Sequence, residues 1–227
     1  MDCWAQKIVL MYQTVFLKTN ILFCIIFLVS CSGKKTVSTI PYYNTPDFTP
    51  VFLASQKEAE KIINHTISAF SLTDQQGKQI TDKDINGKIH VANFFFTSCG
   101  SICPIMTKHM KLVQDAFQNN PDVVILSYSV TPWIDDVARL KKYAENNEIT
   151  SANWHLLTGN KSDIYTLARK SYFAEEDLGF TKDSTEFLHT EHVLLIDKTR
   201  RIRGIYNGTL QLEIEQLIRD IRELIKE

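Results

Sequence analysis

From about residue 66 onward, short β-branched and aromatic runs alternate with stretches whose apolar residues recur at spacings of three and four. Ile67–Leu72 reads as a strand, and Asp74-Gln75-Gln76-Gly77-Lys78 as the turn after it. His90–Phe96 and Val123–Val130 are nearly unbroken apolar runs of strand length, the pattern of strands buried on both faces. Between them, Pro104–Gln118 carries Ile105, Met106, Leu112, Val113 and Phe117 at helical spacing, with the proline expected at the first helical position. Asp135–Asn146 places Val137, Leu140 and Tyr143 along one helical face, and Asp163–Ser171 reads as a further helix. His192–Ile196 and Ile202–Tyr206 flank the turn Lys198-Thr199-Arg200-Arg201 as a hairpin. Ile214, Leu217, Ile218, Ile221, Leu224 and Ile225 then specify an amphipathic terminal helix. Strand, helix, strand, helix, hairpin and helix is an α/β order.

The chain has 227 residues, 44% of them hydrophobic and 22% charged, enough for one domain with its own core plus an additional segment. Lys and Arg total 25 against 26 Asp and Glu, so the chain lacks the basic excess of a nucleic-acid binder.

The additional segment lies at the start. Ile21–Val29 is an apolar run of nine residues, preceded by Lys18 and ended by Ser30-Cys31-Ser32-Gly33. A membrane-spanning helix needs about twenty apolar residues, whereas a run this short suits the core of a secretory signal. Met11 is an alternative start that would shorten the basic region before it. Leu28-Val29-Ser30-Cys31 resembles the lipobox of bacterial lipoproteins, which implies cleavage before Cys31 and a lipid on that cysteine. The expectation is a signal over residues 1–30, an extended tether over 31–57 and a folded domain over 58–227. The tether is punctuated by Pro41, Pro46 and Pro50, and its aromatics Tyr42, Tyr43, Phe48 and Phe52 are expected to dock its second half on the domain. The product would be exported and anchored by lipid to a membrane facing the periplasm. Removing residues 1–30 takes Lys7, Lys18 and Asp2, leaving 23 basic against 25 acidic side chains and no basic patch.

Export changes the meaning of the cysteines. Cys3 and Cys24 leave with the signal and Cys31 is capped, so Cys99 and Cys103 remain. One close pair is not a stapled scaffold, and a loop closed across three residues restricts the unfolded chain little. Chemistry is the better reading. The C-x-x-x-C lies between a buried strand and a helix start, where free N–H groups and the helix dipole favour thiolate. Three intervening residues, rather than two, let the sulfurs spread around an ion or close into a disulfide.

Phe70–Lys78, Gly87-Lys88 and Phe94–Pro104 resemble the SCO/SenC family. The resemblance continues through Ser129-Val130-Thr131-Pro132, Leu140–Ala144, Asn153–Gly159, Leu195-Ile196-Asp197 and Arg203-Gly204, and so covers most of residues 66–226. It implies a thioredoxin-like fold and copper held by two cysteines and a distant histidine. It further implies help in assembling the copper centre of cytochrome c oxidase. Counted back from Asp197, the family's histidine matches His189, with His192 as rival. His65, His90, His109 and His155 are expected to be structural. Two thiolates and an imidazole suit Cu(I) and also zinc, and the resemblance selects copper. The chain departs from the family pattern at Thr131 and at Leu188, where aspartates are usual, while Asp135 matches a second family aspartate. The departure at Leu188 bears on how the imidazole of His189 is oriented.

Two functions fit these residues. One is a tethered metallochaperone passing copper to the oxidase copper-site subunit or to another copper or thiol protein. The other is a thiol–disulfide oxidoreductase in which Cys99 and Cys103 reduce a partner's cysteines. No proline precedes the His192 strand where thioredoxin-like reductases carry one, which argues against a dedicated reductase. A peroxidase using one acidic cysteine is a third reading. Glu175-Glu176-Asp177 reads as a solvated surface run, and Trp133 and Trp154 fit either core or a partner surface.

Overall fold

A computed structural model describes residues 40–174 and 190–227. The lipobox with Cys31, the acidic run at 175–177 and His189 lie outside the described residues.

Fourteen elements place the site. The strands are β1 (Tyr42–Tyr43), β2 (Pro50–Val51), β3 (Ser71–Asp74), β4 (Gln79–Thr81), β5 (Ile89–Phe95), β6 (Val123–Ser129), β7 (Trp154–Thr158), β8 (His192–Ile196) and β9 (Ile202–Asn207). The helices are α1 (Gln56–Ile62), α2 (Ile102–Phe117), α3 (Val137–Asn146), α4 (Lys161–Thr166, continued by a π-helical turn over Leu167–Ser171) and α5 (Gln211–Lys226). The strands form one sheet in the order β2-β1-β9-β8-β5-β6-β7-β3-β4. At its centre β5 runs parallel to β6, with Phe95 opposite Ser129, and antiparallel to β8, with Asn93 opposite Val193. This is the thioredoxin-like α/β arrangement anticipated above.

Alternating residues of the central strands feed two cores. Val91, Phe95, Val193 and Leu195 point to one face, where Met106 and Met110 of α2, Leu140 of α3, and Ile214, Leu217 and Ile221 of α5 cover them. Ala92, Phe94, Leu194 and Ile196 point to the other, under Ile164 of α4 and the following Leu167 and Tyr172. Burying each large aliphatic side chain contributes about 1.5–3 kcal/mol, which is why α5 can be charged on its outer face and still stay docked.

The structure revises several boundaries. Pro104 is the third residue of α2, not the first. It is tolerated because the first four helical N–H groups have no intrahelical partner to lose. The strand expected at Ile67–Leu72 begins only at Ser71, since Ile67 donates its N–H to the carbonyl of Arg200 in the hairpin turn. Trp154–Thr158 is a full parallel strand beside β6. The second half of the stretch read as tether docks on the domain: Tyr42 and Tyr43 pair with Pro50 and Val51, and Tyr43 pairs with Ile202 of β9. The fully buried Arg203 holds this arm by donating to the carbonyls of Ile40 and Pro41. No helix among the described residues is long and apolar enough to cross a membrane.

Candidate metal centre

The parallel strand β5 delivers the chain to residues 96–101, and α2 begins immediately afterwards. Cys99 is partly exposed and Cys103 is 3% exposed, both as free thiols. Ser101 stands at the N-cap of α2 with no side-chain capping bond. The sulfur of Cys99 takes that role instead, accepting the Cys103 N–H at 3.5 Å. An N-terminal helix N–H that would ordinarily seek a hydroxyl or carboxylate is therefore aimed at a sulfur.

The two thiols are made unequal by this geometry. Burial pushes the Cys99 thiol up, but hydrogen bonds from the Cys103 thiol and from the N–H groups of Cys103, Ser101 and Ile102 outweigh it and hold Cys99 below the ordinary range. Burial, reinforced by the Cys99 sulfur, pushes Cys103 up to about 12. One sulfur is an accessible incipient thiolate and the other a sheltered thiol in the same loop.

The approach to Cys99 is fixed from β6. Asp135 is fully buried and its carboxylate accepts from the Thr97 N–H at 3.1 Å, the Thr97 hydroxyl at 2.5 Å, the Ser129 hydroxyl at 2.6 Å and the Thr131 hydroxyl at 2.9 Å. Arg139 of α3 adds an ion pair to Asp135 at 3.4 Å and donates to the Thr97 hydroxyl at 2.6 Å. Thr131, one of the departures from the family pattern, is thus a donor to Asp135. Tyr143 lies close enough to the pair for both sulfurs to raise its own pKa beyond the effect of burial, and its hydroxyl bonds Thr107. Thr97, Ser129, Arg139 and Tyr143 were not singled out from sequence as site residues. Only the fold brings them beside the cysteine loop.

The histidines separate cleanly. His65 Nε2 bonds the Ser171 carbonyl, His109 Nδ1 the Gly208 carbonyl and His155 Nδ1 the Asp74 carboxylate. His90 is buried against the Tyr172 hydroxyl. His192 shares the strand face of Leu194 and Ile196 and meets Phe48 edge-on, whereas Cys103 packs in the core on the opposite side of the sheet with Val193 and Leu195. The strand alternation that exposes Val193 to the sulfur side turns His192 away from it. Among the described residues, no third His, Cys, Asp or Glu joins the two sulfurs in a metal-sized group. Trp154 is buried and donates to Ser127, while Trp133 is 56% exposed.

Comparison with known proteins agrees with this architecture. The SCO1 protein homolog of Bacillus subtilis is 32% identical over 162 residues, covering 70% of this chain and 83% of that protein. A SCO1/SenC family lipoprotein from Bacillus anthracis matches in structure with a TM-score of 0.62 and 32% identity, covering 72% of this chain and 96% of that one. BsSco, described as a member of the Sco family of cytochrome c oxidase assembly proteins with a disulfide switch, matches with a TM-score of 0.60 and 31% identity, over 71% and 94% of the two chains. ScoI of Bradyrhizobium japonicum with copper bound matches with a TM-score of 0.56 and 26% identity, over 70% and 99%. The SCO1/SenC family profile itself matches residues 56–226, and the chain belongs to that family.

Proposed function

We propose that this protein is a copper-binding Sco protein acting in cytochrome c oxidase assembly, and that Cys99, Cys103 and His189 hold the metal it carries. The observation that carries the reading is the free sulfur pair at the start of α2, one thiol acidified by helix N–H groups and both within one loop. Soft sulfur donors favour Cu(I), and loading releases the thiol protons. The copper-bound relative and the oxidase-assembly relative support the cargo and the client. Copper would leave by exchange of sulfur and imidazole ligands for those of the oxidase copper-site subunit. The domain plan proposed is a signal over 1–30, a tether from a lipid-bearing Cys31 over 31–57 and the folded domain over 58–227. The lipoprotein among the relatives supports the anchor, and the periplasm-facing location rests on the signal and lipobox read in the sequence.

An anaerobic Cu(I) titration against a chromophoric chelator tests the ligand set, using the full chain in detergent. The double variant Cys99→Ser/Cys103→Ser supplies the background from the remaining cysteines. Loss of tight binding in His189→Ala, with the Cys99–Cys103 disulfide still able to form, is the expected result. Unchanged stoichiometry and affinity in that variant would remove His189 from the site.

The unequal acidity of the two thiols favours a second reading, reduction of a partner's copper-site cysteines. The Cys99 thiolate would attack the partner disulfide and Cys103 would resolve the mixed disulfide, leaving the Cys99–Cys103 pair oxidised and the partner carrying two thiols. This activity would survive His189→Ala.

A further inference from the structure

Seven large apolar side chains stand exposed among the described residues, and five of them flank the cysteine loop. Trp133 and Ile134, 56% and 42% exposed, lie on the loop between β6 and α3. That loop is tied to the incoming end of the cysteine loop, because its Asp135 accepts the N–H and hydroxyl of Thr97. Ile105, Leu210 and Leu212, at 45%, 50% and 77%, lie at the outgoing end. Ile105 is on the first turn of α2, two residues beyond Cys103, and shares a helix face with His109. His109 Nδ1 bonds the Gly208 carbonyl at 2.9 Å, which brings the β9–α5 turn, with its Leu210 and Leu212, to that face. The other two, Phe52 and Ile62, belong to the N-terminal arm and α1.

Apolar residues scattered singly over a surface are ordinary, but several gathered round a reactive group and rimmed by charge mark an interaction surface. The largest of them is held outward. Lys161 Nζ sits 4.8 Å from the centre of the Trp133 ring and 5.2 Å from that of Tyr165, whose hydroxyl donates to the Val130 carbonyl at 2.9 Å. The indole is thereby braced beside the end of β6 instead of folding over it.

The rim is cationic. Lys108, three residues beyond Ile105 on α2, and Lys161 form no ion pair among the described residues. Arg139 adds a third positive charge, shared with Asp135. On the same stretches of chain, Asp136 and Glu213 direct their carboxylates at backbone N–H groups, those of Arg139 and Asn207. A second copy of this chain would meet the face cation against cation, since a two-fold contact sets a patch on itself. The complement is a different protein, with an apolar collar and an acidic rim.

We propose that Ile105, Trp133, Ile134, Leu210 and Leu212 form the docking face for the protein that takes copper from Cys99 and Cys103, a partner whose own thiols sit within an apolar collar and an acidic rim. The inference rests on the reading of this protein as a copper carrier for the oxidase copper-site subunit. The two apolar shoulders exclude water around the exchange, and the cations guide the approach. As copper moves to the partner's sulfurs, the protons those thiols release return to Cys99 and Cys103.

The test is stopped-flow Cu(I) transfer from the loaded full chain in detergent to the reduced, metal-free soluble domain of the oxidase copper-site subunit. Transfer to a small chelator is the control, and thermal melting checks the fold of each variant. In Trp133→Ser/Leu212→Ser the second-order rate to the domain should fall about tenfold, the scale of losing an aromatic anchor, while the rate to the chelator is unchanged. Lys108→Glu leaves the Lys161 brace in place and should slow transfer to the domain at low salt but not at high salt. An unchanged rate to the domain in the apolar variant would overturn the inference. So would equal slowing toward both acceptors, because the side chains would then act on the copper site itself. Faster transfer in Lys108→Glu would refute the acidic rim. Sedimentation that shows the unmodified chain self-associating, and the apolar variant not, would give the face to a second copy instead. No transfer from the unmodified protein to the domain, with transfer to the chelator intact, would defeat the client reading and this inference with it.

Discussion

The buried carboxylate of Asp135 receives both the backbone N–H and the hydroxyl of Thr97, at 3.1 and 2.5 Å, and so ties the strand end that launches Cys99 to the neighbouring strand β6. Ser129 and Thr131 complete the set. Asp135→Ala leaves four donors without this acceptor, the Ser129 and Thr131 hydroxyls fully buried and the two Thr97 donors partly so. We expect a loss of about 3 kcal/mol in urea unfolding, together with a changed alkylation rate at Cys99. Asp135→Asn, which keeps an acceptor oxygen, should cost less. An unchanged unfolding midpoint for Asp135→Ala would show that the network adds nothing to stability.

The sulfur pair should react in a fixed order. With Cys99 held below the ordinary thiol range and Cys103 pushed up to about 12, iodoacetamide near neutral pH should label Cys99 well before Cys103. Peptide mass spectrometry on a time course reads the order directly. Equal rates would mean that the helix N–H groups do not acidify Cys99.

Acid should weaken the fold through His90. Burial, with a smaller contribution from Arg200, lowers this imidazole to about 3, and its Nε2 faces the Tyr172 hydroxyl at 3.1 Å. The unfolded chain binds the proton near pH 6.5 and the folded chain only near 3, so the unfolded state gains protons first. Stability is therefore complete above about 6.5 and falls as pH drops toward 3, by up to about 1.4 kcal/mol per unit. His90→Phe should flatten that part of the stability–pH curve, measured by denaturant titration at several pH values. A slope unchanged by the substitution would assign the acid sensitivity elsewhere.

His192 should be dispensable for the metal. Its ring lies across the sheet from Cys103, against Phe48. His192→Gln is expected to leave Cu(I) affinity near that of the unmodified protein, whereas His189→Ala is expected to abolish tight binding. The opposite pattern in a competition titration would exchange their roles.

Arg203 should matter more for holding the arm than for the sheet. Its guanidinium donates to the Ile40 and Pro41 carbonyls, to Glu227 at 2.7 Å and to Asp197 at 3.4 Å, and lies 4.0 Å from the Tyr42 ring centre. Arg203→Met removes the guanidinium that Asp197 Oδ2 and the two carbonyls share, at a cost of about 3 kcal/mol, although Asp197 Oδ1 keeps the Thr199 and Arg201 donors. Limited proteolysis should then cut near residues 40–50 faster than in the unmodified protein. Unaltered cleavage there would mean the arm is held by β1 and β2 alone.

Much of this was legible before any coordinates. The spacing of apolar residues gave the central strands and the amphipathic face of α5, because burial on one side of a helix or both sides of a strand leaves a periodic trace. The C-x-x-x-C announced its own chemistry, since it is local and falls at a strand–helix junction. Trp154–Thr158 escaped as a strand because periodicity alone does not tell so short an apolar run from a helical segment, and no hairpin turn pairs it with a neighbour as one pairs His192–Ile196 with Ile202–Tyr206. The contacts around Asp135 escaped because Thr97, Ser129 and Arg139 are ordinary polar residues until β5, β6 and α3 converge.

The sequence alone determined the α/β order, the sulfur pair and its place at a helix start, all of which follow from local spacing and residue type. Only the tertiary structure decided which thiol is acidified, that His192 faces away from the sulfurs and that Phe48 meets Phe173 and His192, both far from it in the chain. Those depend on burial and on contacts between segments distant in sequence, and no local pattern records which distant groups will meet.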